Sequence, residues 1–411
     1  MTSSFCAFTE EDAWNGQLFP ASARPIGRMA RILVVGLTWL VANTGAGPSA
    51  PRILGPRHTT DRTPTFRFVS QRAVRFRCAV DSKRLHRCPS RYTPRLRLGR
   101  HTLRVRAVDS KGRSSRTSVA HVTVARPVPH ADQTIKVGKA PFNMAAGFGS
   151  VWVAVSGGLV RLDPATGAVV ARISTGTRPW GVAVGEGAVW VGDWSDGTVT
   201  RVDPATNTVV WRVTVHTALG QGSPVGVAAG GGSVWAADNA TGQIWRLSAA
   251  NGALLGTAEL GDAHEFVGFG EGGVWVSSEN GTVGQLDPAS GMVIRTIAAG
   301  ADADFLGFSP GAVWVTNYGS EFIWRIDPVT GAVAARLNIG DAGAQGVAFD
   351  GSSLWVAMYN RGEVLRVDPA NGHVQRRVVI GVKPRGLAIA GGSVWVANSV
   401  SGTVSQIGIS G

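Results

Sequence analysis

The residues with the clearest capacity for chemistry are His264, Glu265 and Asp304. An imidazole beside a carboxylate can serve as a general base, and two carboxylates held close can raise one another's pKa or share a divalent cation. Catalysis would then rest on His264 and Glu265, and a metal site on Glu265 and Asp304. The competing reading of Asp262-Ala263-His264-Glu265 is a solvated loop. No nucleophile elbow, phosphate loop, zinc-type Cys/His spacing or dinucleotide fingerprint accompanies them, so those enzyme classes find no support.

Positioning these residues falls to a repeat. A short apolar strand built on Val-Trp or Leu-Trp returns at Trp152, Trp190, Trp235, Trp275, Trp314, Trp355 and Trp395, at intervals of about 40 residues, the length of one four-stranded propeller blade. The second repeat shows the internal order: Pro179 to Val184, Ala188 to Val191, Thr198 to Val202 and Thr208 to Trp211, separated by turn residues. An Asp-Pro turn ending in Gly recurs at Asp163, Asp287, Asp327 and Asp368, with degenerate forms at Asp203 and Ser248. Its Asp accepts from the backbone two residues on, its Pro presets φ, and its Gly takes the left-handed position. The seven tryptophans read as packing between blades. The seventh repeat has no fourth strand of its own, and residues 133–138 resemble a fourth strand, so they are expected to close the ring and remove an open edge. The fold expected is all-β: a seven-bladed β-propeller preceded by a small β-sandwich.

In a propeller the loop entering the innermost strand and the loop after the second strand open on one face. Aligning the repeats on their tryptophans places Phe142, Trp180, Val225, Glu265, Asp304, Gln345 and Arg385 in the first set. The second holds Val155, Asp193, Asp238, Ser278, Asn317, Met358 and Asn398, with Trp194, Tyr318 and Tyr359 one step further into their loops. Aromatic residues at the first two blades, acids at the fourth and fifth, and Arg385 at the seventh make an asymmetric mouth, which suits one unsymmetrical ligand. Candidate ligand contacts are Phe142, Trp180, Asp193, Trp194, Asp238 and Asp304 on one part of this face. On the rest they are Asn317, Tyr318, Gln345, Tyr359, Arg385 and Asn398.

The charge of +13 divides unevenly. Residues 1–131 hold 23 Lys/Arg against 6 Asp/Glu, a net of +17, whereas residues 132–411 hold 17 against 21, a net of −4. Within 1–50, Arg24, Arg28 and Arg31 precede an apolar run from Ile32 to Ala42 and then small residues. That order is expected of a secretory signal peptide, with an uncleaved anchor as the competing reading and Met29 as a possible true start. No Cys follows the run directly, which argues against a lipoprotein. Export allows a disulfide between Cys78 and Cys88, and a metal reading of the pair lacks two further ligands. Three segments follow: 1–50, a basic module at 51–127, and the repeats at 128–411.

Residues 51–127 alternate apolar and basic side chains, as in Phe66-Arg67-Phe68 and Arg75-Phe76-Arg77-Cys78, the pattern of half-buried antiparallel strands. Its arginines either form a solvated face or meet an anionic envelope polymer. Without interleaved exposed aromatics, nucleic acid is not the expected partner.

The stretches Arg77 to Asp81 and Leu98 to Asp109 resemble bacterial immunoglobulin-like modules of exported proteins. Val313-Trp314-Val315-Thr316-Asn317, Val394-Trp395-Val396-Ala397-Asn398 and Arg325 to Gly331 resemble the YVTN-type propeller repeat and that of the streptogramin B lyase (virginiamycin B lyase) family, over residues 133–411. Membership in the lyase family implies a magnesium-dependent elimination that opens a cyclic depsipeptide, with a histidine base and acidic residues at the channel mouth. This chain offers His264 with Glu265 there, and no other histidine or glutamate at the aligned positions after the tryptophans. Two functions are therefore expected. One is a non-catalytic, secreted or envelope-associated recognition protein that binds a peptide, glycan or protein ligand and needs no cofactor. The other is a Mg-dependent lyase or lactonase-type enzyme.

Overall fold

The computed structural model describes residues 47–125, 129–217, 220–260 and 264–409. The leader-like run and Cys6 lie outside them. Among the described residues every regular element is a strand, and no helix is long and apolar enough to cross a membrane. The chain divides into two compact units, Met1–Pro127 and Val128–Gly411.

In the N-terminal unit, period-two alternation sends one face of each strand inward. Phe66–Val69 buries Phe66 and Phe68, and Arg75–Val80 buries Phe76 and Cys78 while Arg75 and Arg77 stay exposed. A three-stranded sheet (Arg52–Leu54, Phe66–Val69, Arg91–Tyr92) and a five-stranded sheet (His58–Thr59, Ser118–Val124, Gly99–Val108, Arg75–Val80, His86–Cys88) share one core, in which Phe68 and Phe76 meet with centroids 5.7 Å apart. A disulfide joins Cys78 to Cys88 across neighbouring strands, with Cα atoms 6.0 Å apart.

His101 in this unit sits between two acceptors, with Nδ1 2.6 Å from Asp81 Oδ2 and Nε2 2.7 Å from the Arg97 carbonyl. Only the imidazolium can donate to both. The Asp81 hydrogen bond, aided by the Arg97 carbonyl, raises the His101 pKa above its ordinary 6.5. Burial alone would raise the Asp81 carboxyl, but the His101 and Thr102 hydrogen bonds outweigh it and hold it low. A histidine raised on folding stabilises below its unfolded pKa and ceases to do so as pH rises through its folded pKa. Amide exchange in Gly99–Val108 is therefore expected to speed up as pH rises above the ordinary histidine pKa of 6.5, beyond the intrinsic pH effect on exchange. His101→Gln should remove that dependence.

The second unit contains seven four-stranded antiparallel sheets among its described residues. The second runs Pro179–Gly185, Ala188–Asp193, Thr198–Asp203 and Thr208–Thr214, close to the strands expected for that repeat. The last is built from Pro384–Ala390, Ser393–Asn398, Thr403–Gly408 and, from the other end of the unit, Gln133–Lys136.

Each repeat tryptophan is at most 2% exposed and packs forward onto the next sheet. Trp152 lies with Val182 and Val189, Trp190 with Val227 and Val234, Trp355 with Leu387 and Val394, and Trp395 with Met144 and Val151. Burying one such side chain contributes roughly 2–3 kcal/mol. The indole N–H is usually held five residues back in its own hairpin, as in Trp190 Nε1 to Gly185 O at 2.9 Å. In five repeats an arginine from the third strand covers the ring, glutamine taking its place opposite Trp275 and Trp395. Arg161 lies 4.8 Å from the Trp152 ring, and its Nη1 donates to Pro204 O in the next sheet's Asp-Pro turn at 2.7 Å. Arg246 repeats the arrangement over Trp235, donating to Ala289 O. The Asp-Pro turns are closed locally. Asp163 Oδ1 accepts from Ala165 N at 2.7 Å and Thr166 N at 3.0 Å, and Gly167 sits at φ +73°. With its carboxylate taken by turn amides, Asp163 serves the turn itself.

Candidate ligand-binding site

In most repeats the first set of face residues lies where the inner strand slips register. The shift falls between Pro179 and Gly181, Pro224 and Gly226, Ala303 and Leu306, Ala344 and Val347, and Pro384 and Leu387. A bulge adds a residue and re-aims its side chain, which accounts for Trp180, Val225, Asp304, Gln345 and Arg385 leaving the ordinary alternation. The glycine after the bulged residue permits close approach of neighbouring inner strands: a Cβ on Gly181 would lie 2.6 Å from Val225 O.

These side chains converge. Arg385, 7% exposed, donates from Nη1 to Gln345 Oε1 and from Nη2 to the Tyr359 hydroxyl, each at 3.3 Å, and Gln345 Nε2 donates to the Asp304 carboxylate. The guanidinium lies 4.7 Å from the Tyr359 ring and 4.4 Å from the Phe142 ring. Phe142 stacks on Trp180 at 4.2 Å with 9° between planes, and Trp180 on Trp194 at 5.5 Å and 16°. Lys383 lies 5.1 Å from the Tyr359 ring at one end of this column, and Arg178 4.6 Å from Trp194 at the other. The column thus runs Lys383, Tyr359, Arg385, Phe142, Trp180, Trp194, Arg178, with a cation at each end and one in the middle. It joins the sixth, seventh, first and second sheets. Gly386 N, which donates to Phe142 O at 3.0 Å, ties the seventh sheet to the first at the same place.

The second set lies beneath this surface. Asp193 and Asp238 are fully buried and receive loop amides. Asp193 accepts from Arg178 N at 2.9 Å and Asp196 N at 2.8 Å, and Asp238 from Ser223 N and Thr241 N, both at 2.6 Å. Burial raises the Asp193 pKa, and the amide donors offset part of that rise. Because Arg178 immediately precedes Pro179-Trp180, the Asp193 carboxylate positions the loop that presents Trp180. Asn398 likewise donates inward to Thr403 and Ser405 hydroxyls, and Asn317 Nδ2 reaches Val315 O at 3.5 Å. Tyr318 packs edge-on to Tyr359 at 5.8 Å and its hydroxyl reaches Asn360 Oδ1 at 3.4 Å.

The side chains of His264 and Glu265 lie outside the described residues. Of the carboxylate pair read as a metal site, Asp304 alone is described. It accepts from an amide donor one step from a guanidinium, a surrounding that suits an anion more than a set of oxygen ligands around a cation. Among the described residues no group of three or more His, Cys, Asp or Glu could hold a metal ion.

Four residues of the site were not singled out from the repeats: Arg178, Lys383, Phe266 and Phe305. The last two occupy the position after the bulged residue that is glycine in Pro-Trp180-Gly181 and Pro-Arg385-Gly386. Their rings stack at 3.8 Å and cluster with Phe142 and Trp180. This departure from the repeat is a signal readable in the sequence. Arg178 and Lys383 share the position two residues before the bulge.

No family model matches the chain, and no curated protein matches it. Solved structures do. A chain of Kuenenia stuttgartiensis hydrazine synthase superposes with a TM-score of 0.58 at 16% identity, covering 66% of this chain and 96% of that one. A chain of a mitotic checkpoint complex gives 0.60 at 12% identity, covering 68% and 92%. The computationally designed Ika8 protein gives 0.52 at 16% identity, covering 75% and 90%. At these identities the likeness concerns fold alone: the four-stranded sheets of the chain make a β-propeller-type repeat fold.

Proposed function

We propose that the chain is an exported, non-catalytic recognition protein. Residues 128–411 form a seven-bladed β-propeller closed by strand 133–138, whose mouth binds a peptide, glycan or protein ligand. The N-terminal unit is an immunoglobulin-like sandwich that associates with the cell envelope. Support for the closed ring comes from the apolar clusters, which join each sheet to the next and the last to the first. The binding reading rests on one observation, the column across the mouth. Its rings already cover one another and its buried polar groups already have partners, so the surface is rigid before a ligand arrives and little ordering entropy is lost on binding. A ligand meets half-buried Trp180 and Trp194 along their exposed margins, with the Arg178 and Lys383 cations at the rim.

Glycan and peptide arrays probed with the full chain test this reading. Hits are expected to weaken about tenfold in Trp194→Ala and several-fold in Lys383→Ala, in proportion to a lost aromatic or charged contact. Hits indifferent to both variants would move the site elsewhere. Ring opening of a streptogramin B lactone by the protein with magnesium would replace the binding reading with an enzymatic one.

A further inference from the structure

The five-stranded sheet of the N-terminal unit turns Phe76, Cys78, Leu103 and Val105 to the core and leaves its other face uncovered by the unit's second sheet. Strand register on that outer face sets three arginines side by side. Arg77 pairs directly with Arg87 on one neighbour and with Arg106 on the other, at the interstrand spacing of about 4.8 Å. Arg75 and Arg104 extend the array two residues along their strands, about 6.8 Å away. Like charges directly opposite on a sheet are destabilising.

Among the described residues of the unit no ion pair offsets them, and only Arg104 feels a carboxylate at longer range, that of Asp81. Its ion pairs among the described residues are His101–Asp81 and Arg113–Asp109, and neither involves these five arginines. Arg106 is steadied by Thr117, to which its Nε donates at 2.5 Å. A shallow cavity of about 500 Å³ lies among Arg77, Lys83, Arg104, Arg106 and Thr117, and another of about 520 Å³ adjoins Arg75 and Arg87.

We infer that this face binds a linear phosphodiester polymer of the envelope. Guanidinium forks match phosphate oxygens in a bidentate way, and a grid of cations at a regular interval suits an extended chain carrying one anion per repeat unit. The large exposed apolar side chains of this unit are Leu54, Val69, Val74, Leu98 and Val119, all aliphatic. Among the described residues no Phe, Tyr or Trp ring of this unit is exposed, so bases would find only imidazoles such as His121 to stack on. This surface rests on the envelope-associated reading of the unit and is independent of the propeller mouth.

The test is binding of the full chain to poly(glycerol phosphate) by calorimetry at moderate salt. Single-stranded DNA and phosphatidylglycerol vesicles serve as the other polyanions. The double variant Arg77→Gln/Arg106→Gln is expected to weaken polymer binding at least about tenfold. The control Arg67→Gln/Arg91→Gln carries the same charge change at an equally opposed pair on the other sheet and is expected to change binding by less than about threefold. Equal losses in the two variants would reduce the effect to net charge and overturn the assignment. So would absence of binding, or tighter binding to DNA or to vesicles than to the polymer. Array hits at the propeller mouth that persist in Arg77→Gln/Arg106→Gln would show that the two surfaces stand or fall separately.

Discussion

Replacing Arg385 with methionine is expected to cost about 3 kcal/mol of stability in the propeller unit. The guanidinium is buried, and three kinds of partner depend on it. Gln345 would lose the donor to its carbonyl, and the Tyr359 hydroxyl its nitrogen partner. Phe142 and Tyr359 would lose the cation between them, each such contact contributing roughly 0.5–2 kcal/mol. The buried Asp304 carboxylate would remain, joined through Gln345 to a cation no longer there. Removing Asp304 as well, in Asp304→Asn/Arg385→Met, takes away that stranded anion and should restore part of the loss. Urea unfolding of residues 51–411 followed by tryptophan fluorescence reads this unit alone, because no tryptophan lies between Trp39 and Trp152. A single variant within about 0.5 kcal/mol of wild type, or a double variant less stable than the single, would show that the three side chains are not energetically coupled.

A proline at Ile135 should have a comparable effect by a different route. Val137 N donates to Gly402 O at 3.1 Å. Antiparallel strands alternate paired and outward residues, so Ile135, opposite Val404, directs its N–H to the same neighbour. Ile135→Pro deletes that bond, leaves the Val404 carbonyl without its donor and places a ring against it, at a cost of about 1–3 kcal/mol. It also loosens the only strand covering the edge of Thr403–Gly408 in its sheet, and an uncovered edge invites pairing with another chain. Lower thermal midpoints and rising light scattering on warming are expected. Thr134→Pro, whose N–H points to the open side, should be clearly milder. Equal behaviour of the two variants would remove the edge argument.

How much of this could be read in advance follows from the range of the interactions. The strand order within a repeat, the packing role of Trp152 through Trp395 and the turn chemistry of Asp163 or Asp327 all arise among residues a few positions apart or in one hairpin, so their types and spacing carry the information. The Trp190 indole closing on Gly185 is such a case. So is the first set of face residues, because a Pro-x-Gly start marks the bulge in three inner strands and alignment on the tryptophans carries it to the others. The second set resisted this reading. Asp193 and Asp238 read as ligand contacts in the sequence, yet each is buried and holds the amide just ahead of its own bulge. Whether a loop carboxylate faces outward or folds back onto its own backbone depends on the path of the loop, which residue type does not specify. The column from Lys383 to Arg178 was legible in its five inner members, while its two terminal cations and its order were not. Phe142 meets Arg385 only when the first and seventh sheets are brought together, and no local rule relates side chains so far apart in the chain. Local chemistry alone sets the blades and their turns. The mouth exists as one connected surface because the sixth, seventh, first and second sheets bring their rings and cations together, and that is a property of the assembled fold.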